Sequence, residues 1–227
     1  KIYTDEEDFT QISKIIKRGN NWAIGPEIEE FENAIKNYVG VDYCLTLNSG
    51  TSALFASLLS LDIKTGDEVI IPSFSFSATA SAVVAAGATP VFTDISSSDF
   101  NIDPLKIKKN ISPKTKAIIP VHLYGHPANL NEIIEIASSH NIPIIEDGAQ
   151  SLGSQYCGKM CGGLGNIGCT SLYPTKVITS GEGGVISTND DDIYNNLLKI
   201  RNHGFDKNHQ ITRFGLNLRM PEIEAAL

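Results

Sequence analysis

Apolar and charged positions alternate at helical spacing from Asp5 to Lys17, and Pro26 opens a second helical stretch through Ile28, Phe31 and Ile35 toward Tyr38. The period then changes. Short β-rich runs at Tyr43 to Leu47, Glu68 to Ile71, Thr89 to Asp94, Ala117 to Val121 and Ile142 to Asp147 alternate with apolar-periodic segments at Thr51 to Leu59, Ala78 to Ala86 and Leu130 to His140. Each of these segments is long enough for a crossover helix, so the pattern predicts an α/β fold with a mostly parallel sheet covered on both faces. Gly148 to Gly168 follows, rich in glycine and cysteine and without a clear period. It is expected to be a long ordered loop lining a site. Two further strands, Cys169 to Leu172 and Gly184 to Thr188, bracket the run YPTKVITSGEGG, and MPEIEAAL carries a helix start at Pro221.

Composition narrows the function. The chain has 227 residues, 41% of them hydrophobic, enough for a substantial core. Its 18 basic and 26 acidic residues leave a formal charge of -8, with no dense Lys/Arg block to hold a nucleic acid or an anionic membrane. The longest apolar stretches are too short or too interrupted to cross a bilayer, and the acidic start KIYTDEED lacks the apolar core of a signal peptide. A cytoplasmic protein is expected. Cys44, Cys157, Cys161 and Cys169 are too sparse for a disulfide scaffold, and the Cys157/Cys161 pair lacks the second Cys/His pair that a zinc site needs, so no metal is expected.

Three groups of residues carry candidate chemistry. Asn48-Ser49-Gly50-Thr51-Ser52 joins a strand to a helix, where backbone N–H groups and hydroxyls gather at a helix N-terminus and favour an anion such as a phosphate. The same run also suits an ordinary N-cap. Glu146-Asp147 closes a strand at its C-terminal end, where open α/β sheets present ligand-binding groups, and a carboxylate there can keep a pyridine nitrogen protonated. It can equally cap the following turn. Lys176 sits in a short loop between two strands and is flanked by glycines, the rigid setting that a Schiff-base lysine needs, although a lone lysine is most often a solvated surface residue. The three occur in this order on one alternating chain, which raises the weight of each. Gly163 to Gly168 matches the dinucleotide fingerprint G-x-G-x-x-G, but it leads into a strand rather than a helix, which argues against nicotinamide or flavin binding.

The stretches GPEIEEFE, LNSGTSAL, GDEVIIPSFSFSATASAVVAAGATPVFTDI, PVHLYGHPANL, IIEDGAQSLGSQYCGK, SLYPTKVITSGEGGVIST and GLNLRMPEIEAAL resemble the DegT/DnrJ/EryC1/StrS family of sugar aminotransferases, of the aspartate aminotransferase fold (fold type I). The resemblance implies a three-layer α/β/α large domain over residues 26–218, an N-terminal helical segment over 1–25, and over 219–227 the start of a helix leading to a C-terminal small domain that this chain lacks. It implies pyridoxal 5'-phosphate as cofactor, with Lys176 as the covalent anchor and proton shuttle and Asp147 on the ring nitrogen. Gln150 would contact the phenolate oxygen, Phe76 would stack on the ring, and Gly50, Thr51 and Ser171 would hold the phosphate. Asn217 would reach the phosphate of a partner subunit in a homodimer. His122 belongs to a stretch near the cofactor, without an assigned role. The implied reaction moves an amino group from glutamate to a nucleotide-linked keto-deoxy sugar. The alternatives are a dehydratase or an amino-quinoid synthase on the same scaffold, or a cofactor-binding regulatory relative without turnover; Lys176 argues against the dehydratase branch, where histidine replaces it.

Overall fold

A computed structural model of the chain describes residues 3–227. Helix α1 (Glu6–Arg18) begins at a capping box on Asp5, and α2 (Pro26–Val39) has proline in its first turn; both end at a left-handed glycine. Strand β1 (Tyr43–Leu47) leads into α3 (Gly50–Ser60), β2 (Glu68–Pro72) into α4 (Ala78–Ala85), and β3 (Thr89–Thr93) into α5 (Pro104–Asn110). Strand β4 (Thr115–Ile118) precedes α6 (Leu130–Ser139), and β5 (Ile145–Asp147) precedes a small hairpin of β6 (Gln155–Tyr156) and β7 (Lys159–Met160). Strands β8 (Ile167–Ser171) and β9 (Gly184–Thr188), then α7 (Asp191–Arg201) and α8 (Glu222–Ala225), complete the described chain.

The sequence pattern accounts for most of these elements. It does not anticipate α5, α7 or the hairpin inside the glycine-rich loop, it places β4 two to three residues late, and it starts β5 three residues early. Helix α5 has only seven residues, too few to display a period, although Asp103 caps it and Pro104 opens it. Helix α7 starts from the Asp190 side chain, which accepts from the Asp192 and Ile193 N–H groups.

The strands run in the order β1-β9-β8-β5 and β3-β2-β4, and parallel bridges Ile118–Ile144 and Val121–Asp147 join the two sets between β5 and β4. Within these seven strands, among the described residues, only β9 runs against its neighbours; the other pairings are parallel. Side chains alternate between the faces, so Val69 and Ile71 enter one core and Ile70 the other. Helices α3, α4 and α7 cover the first face through Leu54, Leu58, Val83 and Leu197. Helices α5 and α6 cover the second through Ile107, Ile133 and Ala137, and α2 and α8 extend that cover over Cys44 and Val185. The result is the expected three-layer α/β/α arrangement, with the C-terminal ends of β2, β4, β5 and β8 opening on a common edge. Among the described residues no helix is long and apolar enough to cross a membrane.

Candidate active site

At that edge a cavity of about 550 Å³ collects Gly50, Thr51, Phe76, Asp147, Gln150, Ser171 and Lys176 among its lining residues. These are seven of the eight residues singled out from the sequence. The eighth, Asn217, is exposed, pairs as an isolated bridge with Asn202, and does not line the cavity.

The floor near α3 is built by a helix start and a close approach. Ser49 accepts from the Ser52 N–H at 3.0 Å, and the first intrahelical bond runs from Ala53 N–H to Ser49 O. The Gly50 and Thr51 N–H groups therefore have no intrahelical acceptor and are available to an anion. Ser171, at the end of β8, presses on this turn: a Cβ added at Gly50 would stand 2.8 Å from the Ser171 Cβ, closer than packed side chains approach. Glycine is thus required at position 50 by the close approach of Ser171.

Opposite, Asp147 ends β5 and is buried. Its Oδ2 accepts from the Thr79 hydroxyl at 2.7 Å and its Oδ1 from the Ala149 N–H at 3.2 Å. Burial pushes the Asp147 carboxyl above the usual carboxylate range, against the lowering by Thr79 and Ala149 and by the charge of Lys176. A buried carboxylate with lone pairs facing a cavity is suited to a cationic N–H donor. Thr79, on α4, was not legible from the sequence: it stands 68 positions from Asp147 in a helix of small, mostly apolar residues, where a threonine carries no motif.

The remaining walls are irregular. Gln150 Oε1 accepts from the Tyr124 N–H at 2.6 Å, which turns its amide NH2 to other acceptors. Tyr124 holds φ at 52°, a left-handed conformation uncommon for a tyrosine. The Phe76 ring is 73% exposed at the cavity and free to stack on a planar ligand. Lys176 is half-buried in the loop between β8 and β9, where its N–H donates to Tyr173 O at 2.9 Å. Tyr173, Thr175 and Glu182 also line the cavity and were not singled out from the sequence.

Beneath the site, His122, Glu146 and Cys161 bring potential metal-binding atoms within 4.8 Å of one another. Their chemistry is already committed. Glu146 accepts from His122 Nε2–H, and His122 Nδ1 accepts from the Ala128 N–H, so both ring nitrogens are in use. Burial first, and the Glu146 charge second, push the Cys161 thiol up to about 12. Cys157 is exposed at the hairpin turn. The G-x-G-x-x-G run ends inside β8, whose first two residues are Ile167 and Gly168, and so lacks the helix that the dinucleotide fingerprint requires.

Comparison with known proteins gives the family and the fold. The pattern described as the DegT/DnrJ/EryC1/StrS aminotransferase family matches residues 3–227. A GDP-perosamine synthase of Caulobacter vibrioides is 43% identical over 207 residues, covering 90% of this chain and 56% of the relative. A UDP-2-acetamido-2-deoxy-3-oxo-D-glucuronate aminotransferase of Pseudomonas aeruginosa is 41% identical over 217 residues, covering 95% of this chain and 60% of the relative. The crystal structure of DesV from S. venezuelae superimposes with a TM-score of 0.93 at 38% identity, covering 97% of this chain and 59% of that one. The chain therefore spans somewhat over half the length of the relatives it matches.

Proposed function

The chain belongs to the DegT/DnrJ/EryC1/StrS aminotransferase family, and on that basis we propose that its cavity holds pyridoxal 5'-phosphate and that the protein transfers an amino group from glutamate to a keto-deoxy sugar carried on a nucleotide. The observation that carries this reading is Asp147, a buried carboxylate whose partners leave it open toward the cavity that Lys176 also lines. When bound, the cofactor supplies a carbonyl that condenses with amines and a cationic ring that draws electrons from the neighbouring carbon.

The chain's own residues take the other tasks. Asp147 holds the ring nitrogen in its protonated form, and the raised carboxyl is stabilised as the anion by that cation. The amide NH2 of Gln150 donates to the phenolate oxygen, and Phe76 covers a ring face. The Gly50 and Thr51 N–H groups, with the Thr51 and Ser171 hydroxyls, receive the phosphate. The Lys176 amine anchors the cofactor and then takes a proton from one reacting carbon atom and delivers it to the other, serving as base and then acid in both half-reactions. In a homodimer, the partner subunit's Asn217 adds a donor to the phosphate, which accords with the exposed position of Asn217 away from its own cavity. A cytoplasmic location fits the soluble, nucleotide-linked substrate of this reading.

Nitrogen-15 glutamate and a panel of GDP-, UDP- and dTDP-linked keto sugars test the proposal. The reading predicts label in an amino sugar. Consumption of the sugar without gain of label would favour dehydration, label in a cyclic non-sugar acceptor an amino-quinoid synthase, and tight cofactor binding without turnover of any acceptor a regulatory protein.

A further inference from the structure

Glu146 is fully buried one residue before Asp147 on β5, so its side chain points to the opposite face of the sheet. Its Oε1 accepts from the Leu164 and Gly165 N–H groups, both at 2.7 Å, and its Oε2 from the Gly162 N–H at 2.8 Å and from His122 Nε2–H at 2.9 Å. Burial acts to raise the carboxyl, but His122 and the Gly165 and Gly162 N–H groups outweigh it and hold Glu146 below the usual carboxylate range. The glycines make this wrapping possible. Gly162 has φ of 88°, and a Cβ at Gly165 would stand 3.0 Å from Ile144 O and 3.3 Å from Glu146 Cγ. The run that imitates a phosphate-binding fingerprint is thus an anion nest whose anion is built into the chain.

The nest is also coupled to the ring-facing carboxylate. His122 donates its ring N–H to Glu146 and its backbone N–H to Asp147 O at 3.0 Å, while the Asp147 N–H donates to Pro120 O at 2.9 Å. We propose that Glu146 and His122 are positioning residues: the glycine nest grips Glu146, His122 ties it to the strand end, and together they fix the orientation of Asp147 toward the cofactor's ring nitrogen. This inference rests on the role given to Asp147 above.

Glu146→Gln is the discriminating change. Its carbonyl can serve two donors, but its NH2 must face either the Gly162 N–H and the His122 ring N–H or the Leu164 and Gly165 N–H groups. Turning His122 to the other tautomer moves the conflict to the Ala128 N–H. Affinity for added pyridoxal 5'-phosphate and the pH dependence of the bound cofactor's visible absorption are measured, with Asp147→Asn as comparator and far-UV circular dichroism to establish folding. Glu146→Gln is expected to weaken affinity about tenfold, the order for one lost buried polar pairing, and to shift the absorption profile in the direction that Asp147→Asn shifts it. Should that variant fail to fold, His122→Gln keeps a donor for Glu146 while altering the acceptor for Ala128, and is expected to give a smaller shift of the same sign. Unchanged affinity and profile in a folded Glu146→Gln, or in His122→Gln where Glu146→Gln fails to fold, beside a clear effect of Asp147→Asn would overturn the positioning role. No effect of Asp147→Asn itself would remove the assignment of Asp147, and the positioning role with it.

Discussion

The two walls of the cavity are held by different physics. The wall made by the start of α3, the start of α4 and the end of β5 stands on a regular sheet, and behind it Leu54, Leu58, Val83 and Ile145 pack into one continuous apolar core. The wall that carries Gln150, Ser171 and Lys176 runs from residue 148 to 183 and includes five glycines with positive φ. It is fixed largely by hydrogen bonds: Glu146 to the glycine nest, the Ser154 hydroxyl to Gly125 O, the Ser187 hydroxyl to Gly162 O, and the Thr179 hydroxyl to Leu172 O. Apolar packing tolerates small rearrangements because it is non-directional, whereas a saturated polar network loses a specific partner at each change. The first wall therefore supplies a durable platform, and the second supplies the functional groups whose placement is most sensitive to single changes.

Four changes separate these contributions. The largest expected effect is on the platform: Leu58→Ala, at a fully buried position of α3, should cost about 2–5 kcal/mol in urea unfolding, while affinity for pyridoxal 5'-phosphate stays within about threefold. A loss of affinity as large as the loss of stability would mean that the platform is not independent of the site. Asp147→Asn should slow amino transfer about 100-fold in steady-state kinetics. Because burial raises the Asp147 carboxyl, its contribution to stability is complete below the ordinary carboxylate range and is lost as pH rises through the raised value. The same variant should thus unfold at a higher temperature than the parent at neutral pH when both lack the cofactor, and a lower midpoint would contradict that sign.

Gly50→Ala should weaken binding of pyridoxal 5'-phosphate about tenfold in equilibrium titration, since its Cβ would displace Ser171 from the helix start. Unchanged affinity would show that the close approach has no part in holding the phosphate. The smallest effect, about fivefold, is expected for Asn217→Ala, where one uncharged donor from across a dimer is lost. Titration above and below the dissociation concentration of the dimer checks it, and an equal loss in the monomer would remove the cross-subunit role.

Legibility in the sequence follows the same division. Strand β1 and the strand-end position of Asp147 stood out because a sheet covered on both faces demands apolar runs with polar residues at their ends. The Ser49 to Ser52 turn stood out because helix starts have a chemical signature. Gln150, Ser171, Phe76 and Asn217 emerged only from the family resemblance: Gln150, Phe76 and Asn217 lie in irregular segments with no period to reveal which side chain faces inward, and Ser171 is the last residue of a strand, where a serine carries no motif. Thr79 and the glycine nest were not legible at all. Their partners lie 68 positions away for Thr79 and 16 to 19 for the nest, and only the closed sheet brings them together.

The most direct test of the account is the covalent anchor. The protein is mixed with pyridoxal 5'-phosphate, reduced with borohydride, digested and mapped by mass spectrometry, with Lys176→Ala alongside. The account predicts a pyridoxyl group on the peptide containing Lys176, its absence from the variant, and no amino transfer by that variant. A folded protein that carries the group on a different lysine, or a Lys176→Ala variant that retains full activity, would contradict it.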